Sequence, residues 1–122
     1  MKQSFFNLVL ALYTFFIFSY NADGQSLPTI TCPDNITVNS STGFIYVGER
    51  GGSVSKISTS GTRTVLAGVS SADGVVFDNF NSILVSRFDG SGTTIVRVHR
   101  TTGAQTNIVT LGGAAQGMSV DG

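Results

Sequence analysis

Apolar and hydroxyl-bearing residues alternate along most of this chain, in short runs broken by Gly, Asp and Asn. Thr93–His99 shows the pattern most clearly, with Val96 and Val98 turned to one side and Ile95, Arg97 and His99 to the other. Alternation of this kind marks a half-buried strand. The same reading gives strands at Pro33–Asn39, Phe44–Arg50, Ser53–Ser58 and Thr62–Ala67. A second set falls at Ala72–Asp78, Ser82–Arg87, Thr93–His99 and Ala104–Leu111, and a last strand opens at Ala115. Turn residues sit between them: Gly51-Gly52, Ser60-Gly61, Asp89-Gly90-Ser91-Gly92 and Thr102-Gly103. Glycine is expected there because positive φ carries no steric cost for it.

The strands repeat. Pro33-Asp34-Asn35-Ile36-Thr37-Val38-Asn39 aligns with Ala72–Asp78 at an offset of 39. Ala72–Asp78 aligns in turn with Ala115–Asp121 at an offset of 43. In both complete units the second strand ends in Arg, at Arg50 and Arg87. Unit one carries Asn35 where the others have Gly74 and Gly117. Each unit of about 40 residues therefore holds four strands joined by hairpins, the signature of a β-propeller blade. A β-solenoid has shorter repeats with fewer turns. The expected fold class is all-β: about two four-stranded antiparallel blades, 33–71 and 72–114, with the first strand of a third at 115–122. Propellers close with ~4–8 blades. The expectation is thus an N-terminal fragment with an incomplete ring, the alternative being a small chain that closes a ring by head-to-tail assembly.

Composition narrows the function classes. Seven Lys+Arg balance seven Asp+Glu, and only 11% of residues are charged. No basic cluster exists to displace counterions from phosphates, so nucleic acid is not an expected partner. An apolar fraction of 41% with zero net charge also argues against disorder. The 15 Ser and 14 Thr, against few Ala, Glu, Lys and Leu, disfavour a helical bundle.

The first 24 residues have the layout of a secretory signal peptide. Lys2 supplies a positive start, Phe5–Phe18 an apolar run, and Ala22-Asp23-Gly24 small residues at a cleavage site. An uncleaved anchor is the alternative, but a bilayer core needs ~20 apolar residues. The mature chain is expected to be secreted, with 25–32 as a short linker and no membrane contact after cleavage. Asn35-Ile36-Thr37 and Asn39-Ser40-Ser41 are glycosylation sequons, which matter on that route. The single Cys32 has no intramolecular partner; it either pairs elsewhere or stays free. A catalytic Cys32 is not expected, since the one histidine, His99, is 67 residues away.

Catalytic motifs are absent: no HExxH, CxxC, P-loop or GxSxG. His99, Arg97 and Arg100 form a small basic patch that reads as solvent face.

Gly74-Val75-Val76-Phe77-Asp78 through Ile83-Leu84-Val85 resembles the six-bladed propellers of NHL type and the neighbouring gluconolactonase-like and strictosidine-synthase-like superfamily. Ser40–Val47 and Gly117–Gly122 carry the same pattern, so the resemblance spans residues 33–122. It implies that Asp34, Asp73 and Gln116, each just before a unit's opening Gly or Asn, lie near the mouth of a central channel. In gluconolactonase-like enzymes similar positions supply oxygen ligands to a divalent cation, and such oxygens suit Ca²⁺. An Asx turn preparing the hairpin explains the same residues. Three functions follow. An extracellular module binding a protein, glycan or small molecule is the first, and a Ca²⁺-dependent lactonase the second. The third is an adhesion module, because Leu27–Val38 with its Cys-Pro is similar to the opening of a hyalin repeat. That domain needs a second Cys, and the propeller repeat continues beyond Val38.

Overall fold

The computed structural model describes residues 28–78 and 81–120. The signal segment read at 1–24 lies outside them, as do Leu27 and Asp121. Eight strands follow one another: β1 (Pro33–Val38), β2 (Ile45–Glu49), β3 (Ser53–Ile57), β4 (Arg63–Ala67), β5 (Ala72–Asp78), β6 (Ser82–Phe88), β7 (Gly92–His99) and β8 (Gln105–Gly112). They form two four-stranded antiparallel meanders, β1-β2-β3-β4 and β5-β6-β7-β8. The fold is all-β with blade-like sheets, as the alternation requires. Ala115–Val120, expected to open a third unit, pair with no strand. In each meander the first strand bonds to the second, and no described segment takes that place for them.

The two sheets meet through their first strands, with β5 lying against β1 and β2. Tyr46 and Phe77 meet edge to face, their ring centres 5.4 Å apart. Because side chains alternate, Tyr46 and Gly48 face the second sheet, while Val47 and Glu49 face away. Register carries the same face outward through each sheet: Gly48 opposes Val54, Val75 opposes Val85, and Val85 opposes Val96. The core forms where these faces meet, from Tyr46, Val54, Ala67, Val69, Ala72, Val75, Ile83, Val85, Val96 and Val98. Each fully buried Val or Ile contributes roughly 1.5–3 kcal/mol by leaving water.

Close approach makes Gly48 necessary. A Cβ there would lie 2.8 Å from Val75 Cγ2 and 3.1 Å from the Ala72 carbonyl oxygen. At the outer edge the β7–β8 turn seats on β4. Gly103, at φ 71°, abuts the Leu66 carbonyl, and Gln105 Nε2 donates to the Gly68 oxygen at 2.9 Å.

Glu49 anchors the other face of the first sheet. It is 2% exposed and pairs with Arg63 Nη2 at 2.7 Å. Ser55 Oγ also donates to it, and the Thr31 amide reaches Oε2 at 3.1 Å. Burial works to raise its pKa, but the hydrogen bonds from Arg63, Ser55 and Thr31 outweigh burial and hold it below the usual 4.5. The stability this carboxylate contributes is therefore present above the ordinary carboxylate range. It is lost as pH falls through the depressed value.

Replacing Gly48 by Val should separate the sheets at their closest point. The expected loss is about 1–3 kcal/mol, as for other overpacked cores. Urea unfolding monitored by tyrosine fluorescence would report it, and an unchanged midpoint would contradict the packing.

Candidate functional site

β1 and β5 carry the same irregularity at the same place. Register shifts between Pro33 and Asn35 in one and between Ala72 and Val75 in the other. A bulge re-aims the extra residue, and here those residues are Asp34 and the Asp73-Gly74 pair. In the second unit the Gly74 amide, turned out of the ladder, donates to Ser86 Oγ at 2.7 Å. Local backbone thus explains why both aspartates stand at the start of their sheets.

They converge on one cation. Arg50, in the turn after β2, places Nη2 3.0 Å from Asp34 Oδ2 and 3.5 Å from Asp73 Oδ1. Gln116 joins them: Asp34, Asn35, Arg50, Asp73, Gln116 and Gly117 line one cleft of about 290 Å³. An adjoining cleft of about 330 Å³ adds Ser71, Phe88 and Ala114 to Arg50, Asp73 and Gln116. The three positions singled out in the sequence therefore stand around a common space. Burial pushes the Asp73 carboxyl above its ordinary 3.8, the nearby Asp34 pushes it further, and Arg50 pulls it back. With its folded pKa raised, Asp73 binds its proton more tightly in the native chain, so stability falls as pH rises through the window above 3.8. The Arg50 side chain is 60% exposed. Its pairs are worth no more than ~1 kcal/mol each to stability.

The two carboxylates and the Gln116 amide could furnish only part of the six to eight oxygens that Ca²⁺ takes. Arg50 already supplies the positive charge between the carboxylates. Among the described residues no group of three His, Cys, Asp or Glu could hold a metal ion.

The other sequence candidates lie elsewhere. Asn35 is half-buried within β1. Asn39 is 9% exposed, and its Oδ1 accepts from the Ser41 amide at 3.0 Å and from Ser41 Oγ at 2.6 Å. Cys32 is exposed, with φ 49°. The basic patch does not exist as a unit. Arg97 Nε pairs with Asp78 Oδ2 at 2.5 Å, while His99 Nδ1 accepts from the Thr101 and Thr102 amides, each at 3.3 Å. Arg100 turns the other way, onto Phe77.

Sequence reasoning missed Arg50 and Phe88. It matched Arg50 to Arg87 as the residues ending the second strands. Register shows otherwise: Glu49 pairs with Pro33 as Arg87 pairs with Ala72, so Phe88 occupies the place of Arg50. The loop before β6 is shorter than the loop before β2, and this displaces the alignment. The usable signal was the position of Arg50 directly after a strand that must pair with the one carrying Asp34.

No protein-family profile matches the chain, and no curated protein matches it. Among solved structures it is similar to a protein described as a putative oxidoreductase (glucose dehydrogenase) from Thermus thermophilus. The TM-score is 0.57 at 14% identity, over 75% of this chain and 31% of that one. That likeness concerns the fold, and it agrees with two propeller-type blades. The chain spans about a third of the length of the structure it matches.

Arg50→Gln should raise the Asp73 pKa further, since it removes the cation that opposes burial and Asp34. Carbon-13 NMR titration of the aspartate carboxyls measures this directly. An unchanged Asp73 midpoint would place Arg50 away from it.

Proposed function

We propose that this chain is a secreted ligand-binding module whose recognition groups are Asp34, Arg50, Asp73 and Gln116. The observation that supports it is their convergence, from both sheets and the segment after β8, on one open cleft. Carboxylate acceptors, guanidinium donors and an amide side by side suit a ligand rich in hydroxyl groups, which both donate and accept. Phe88 beside the same cleft supplies an apolar face for a ring-shaped body. A glycan or small polyol is therefore the expected partner. Secretion rests on the pattern of residues 1–24 and applies to the mature chain.

A Ca²⁺-dependent lactonase would draw on the same oxygens, but it requires Arg50 to leave the carboxylates. The binding reading uses Arg50 where it stands.

Titrating the labelled chain with a panel of mono- and disaccharides should shift the amide signals of Asp34, Arg50, Asp73 and Gln116. Arg50→Gln should weaken that response by about tenfold, the loss of one charge-assisted hydrogen bond. No shift at these residues with any sugar would overturn the proposal. Ca²⁺ binding by calorimetry that Asp73→Asn abolishes would favour the hydrolase instead.

A further inference from the structure

Two adjoining clefts lie between the sheets at the opposite end of the strands, and the charge lining them is of one sign. Lys56, at the end of β3, and Arg100, just after β7, line both, together with Phe44 and Thr101. Among the described residues no Asp or Glu borders them. Neither cation takes part in any ion pair found among the described residues. Elsewhere the pattern is different: Arg50, Arg63 and Arg97 all face carboxylates.

Both cations are held in place. Lys56 Nζ stands 4.1 Å from the centre of the Phe44 ring. Arg100 lies over Phe77 at 5.6 Å, and its Nε and Nη2 donate to Asn81 Oδ1 at 3.1 and 2.7 Å. That fork spends one edge of the guanidinium, Tyr46 takes a further donor, and the rest stay open to another acceptor. Tyr46 borders the smaller of the two clefts. Burial pushes its hydroxyl pKa up against the pull of Arg100, so at neutral pH it offers a hydroxyl and no negative charge. Ser58, Thr62, Thr64 and Leu66 line the larger cleft beside the cations, with Ser58 Oγ also accepting from the Thr62 amide at 3.0 Å.

We infer that this cleft binds a tetrahedral oxyanion, a phosphate or sulfate group carried on a small apolar or ring-shaped body. Two cations brought together from separate sheets repel each other, and an anion between them converts that repulsion into attraction. Several oxygens can be shared between the ammonium and the guanidinium, with Thr64 beside them, which a single point of contact would not use. A cleft of about 270 Å³ holds such a head with a ring attached, and Phe44 and Leu66 cover the ring. The site is separate from the Asp34–Arg50–Asp73 cluster, so it can succeed or fail independently of the function proposed above.

The test is an amide NMR titration of the full chain with four probes: inorganic phosphate, inorganic sulfate, phenyl phosphate and phenyl sulfate. Shifts are expected at Lys56, Ser58, Thr64 and Thr101, with the phenyl esters binding more tightly than the free ions. The preferred ester identifies the source of the oxyanion, and either preference supports the site. Affinity should fall as salt rises. Lys56→Gln and Arg100→Gln should each lower it about tenfold, Lys56→Arg should restore most of it, and Arg50→Gln should leave it unchanged. Absence of shifts with all four probes at millimolar concentration overturns the inference. So does undiminished binding in a folded Lys56→Gln/Arg100→Gln double variant.

Discussion

The placement of the candidate site depends on how closely β5 approaches β1 and β2. The approach is possible because position 48 has no side chain, so the Ala72 carbonyl and the Val75 methyl can occupy its place. Tyr46 and Phe77 then meet edge to face beside that contact, and the aliphatic faces of both sheets close behind them. A larger residue at 48 would hold the sheets apart and separate Asp34 from Asp73. Asp34 meets Arg50 within its own sheet, but only the docking of β5 brings Asp73 to the same guanidinium. The site is a property of the interface.

That interface leaves clefts at both ends of the strands, and their charges differ. At the strand-start end, two bulges turn carboxylates toward a shared arginine, giving a mixed polar surface with donors and acceptors adjacent. At the other end, Lys56 and Arg100 line their space with no bordering acid among the described residues. Glu49 shows a third use of charge, in which burial is offset by three donors and the result is structural. Removing one partner of such a buried pair typically costs about 3–5 kcal/mol, because the remaining charge stays uncompensated.

Local pattern made the fold legible. Alternation and glycine turns place all eight strands to within about two residues, which is the usual uncertainty of an element's end. Val96 and Val98, read as one face, are both fully buried. The repeat also brought Asp34, Asp73 and Gln116 into one column, and the structure sets them around one cleft. What sequence did not reveal was register. A difference in loop length put Phe88, not Arg87, in the position of Arg50, and no local propensity reports that. The pairing of Arg97 with Asp78 likewise depends on which face each strand presents. Lys56 and Arg100 are 44 positions apart, and only the docking of the two sheets unites them.

The central claim is that sheet packing sets Asp34 beside Asp73, across 39 positions of chain. The most direct measurement is the Asp73 pKa in the native chain and in Asp34→Asn, followed by carboxyl carbon-13 NMR. Asp34 is one of the causes that raise it, so removing that charge should move the Asp73 midpoint down toward its ordinary value. A midpoint that does not move would mean the two carboxylates are not neighbours, and the interface described here would be wrong.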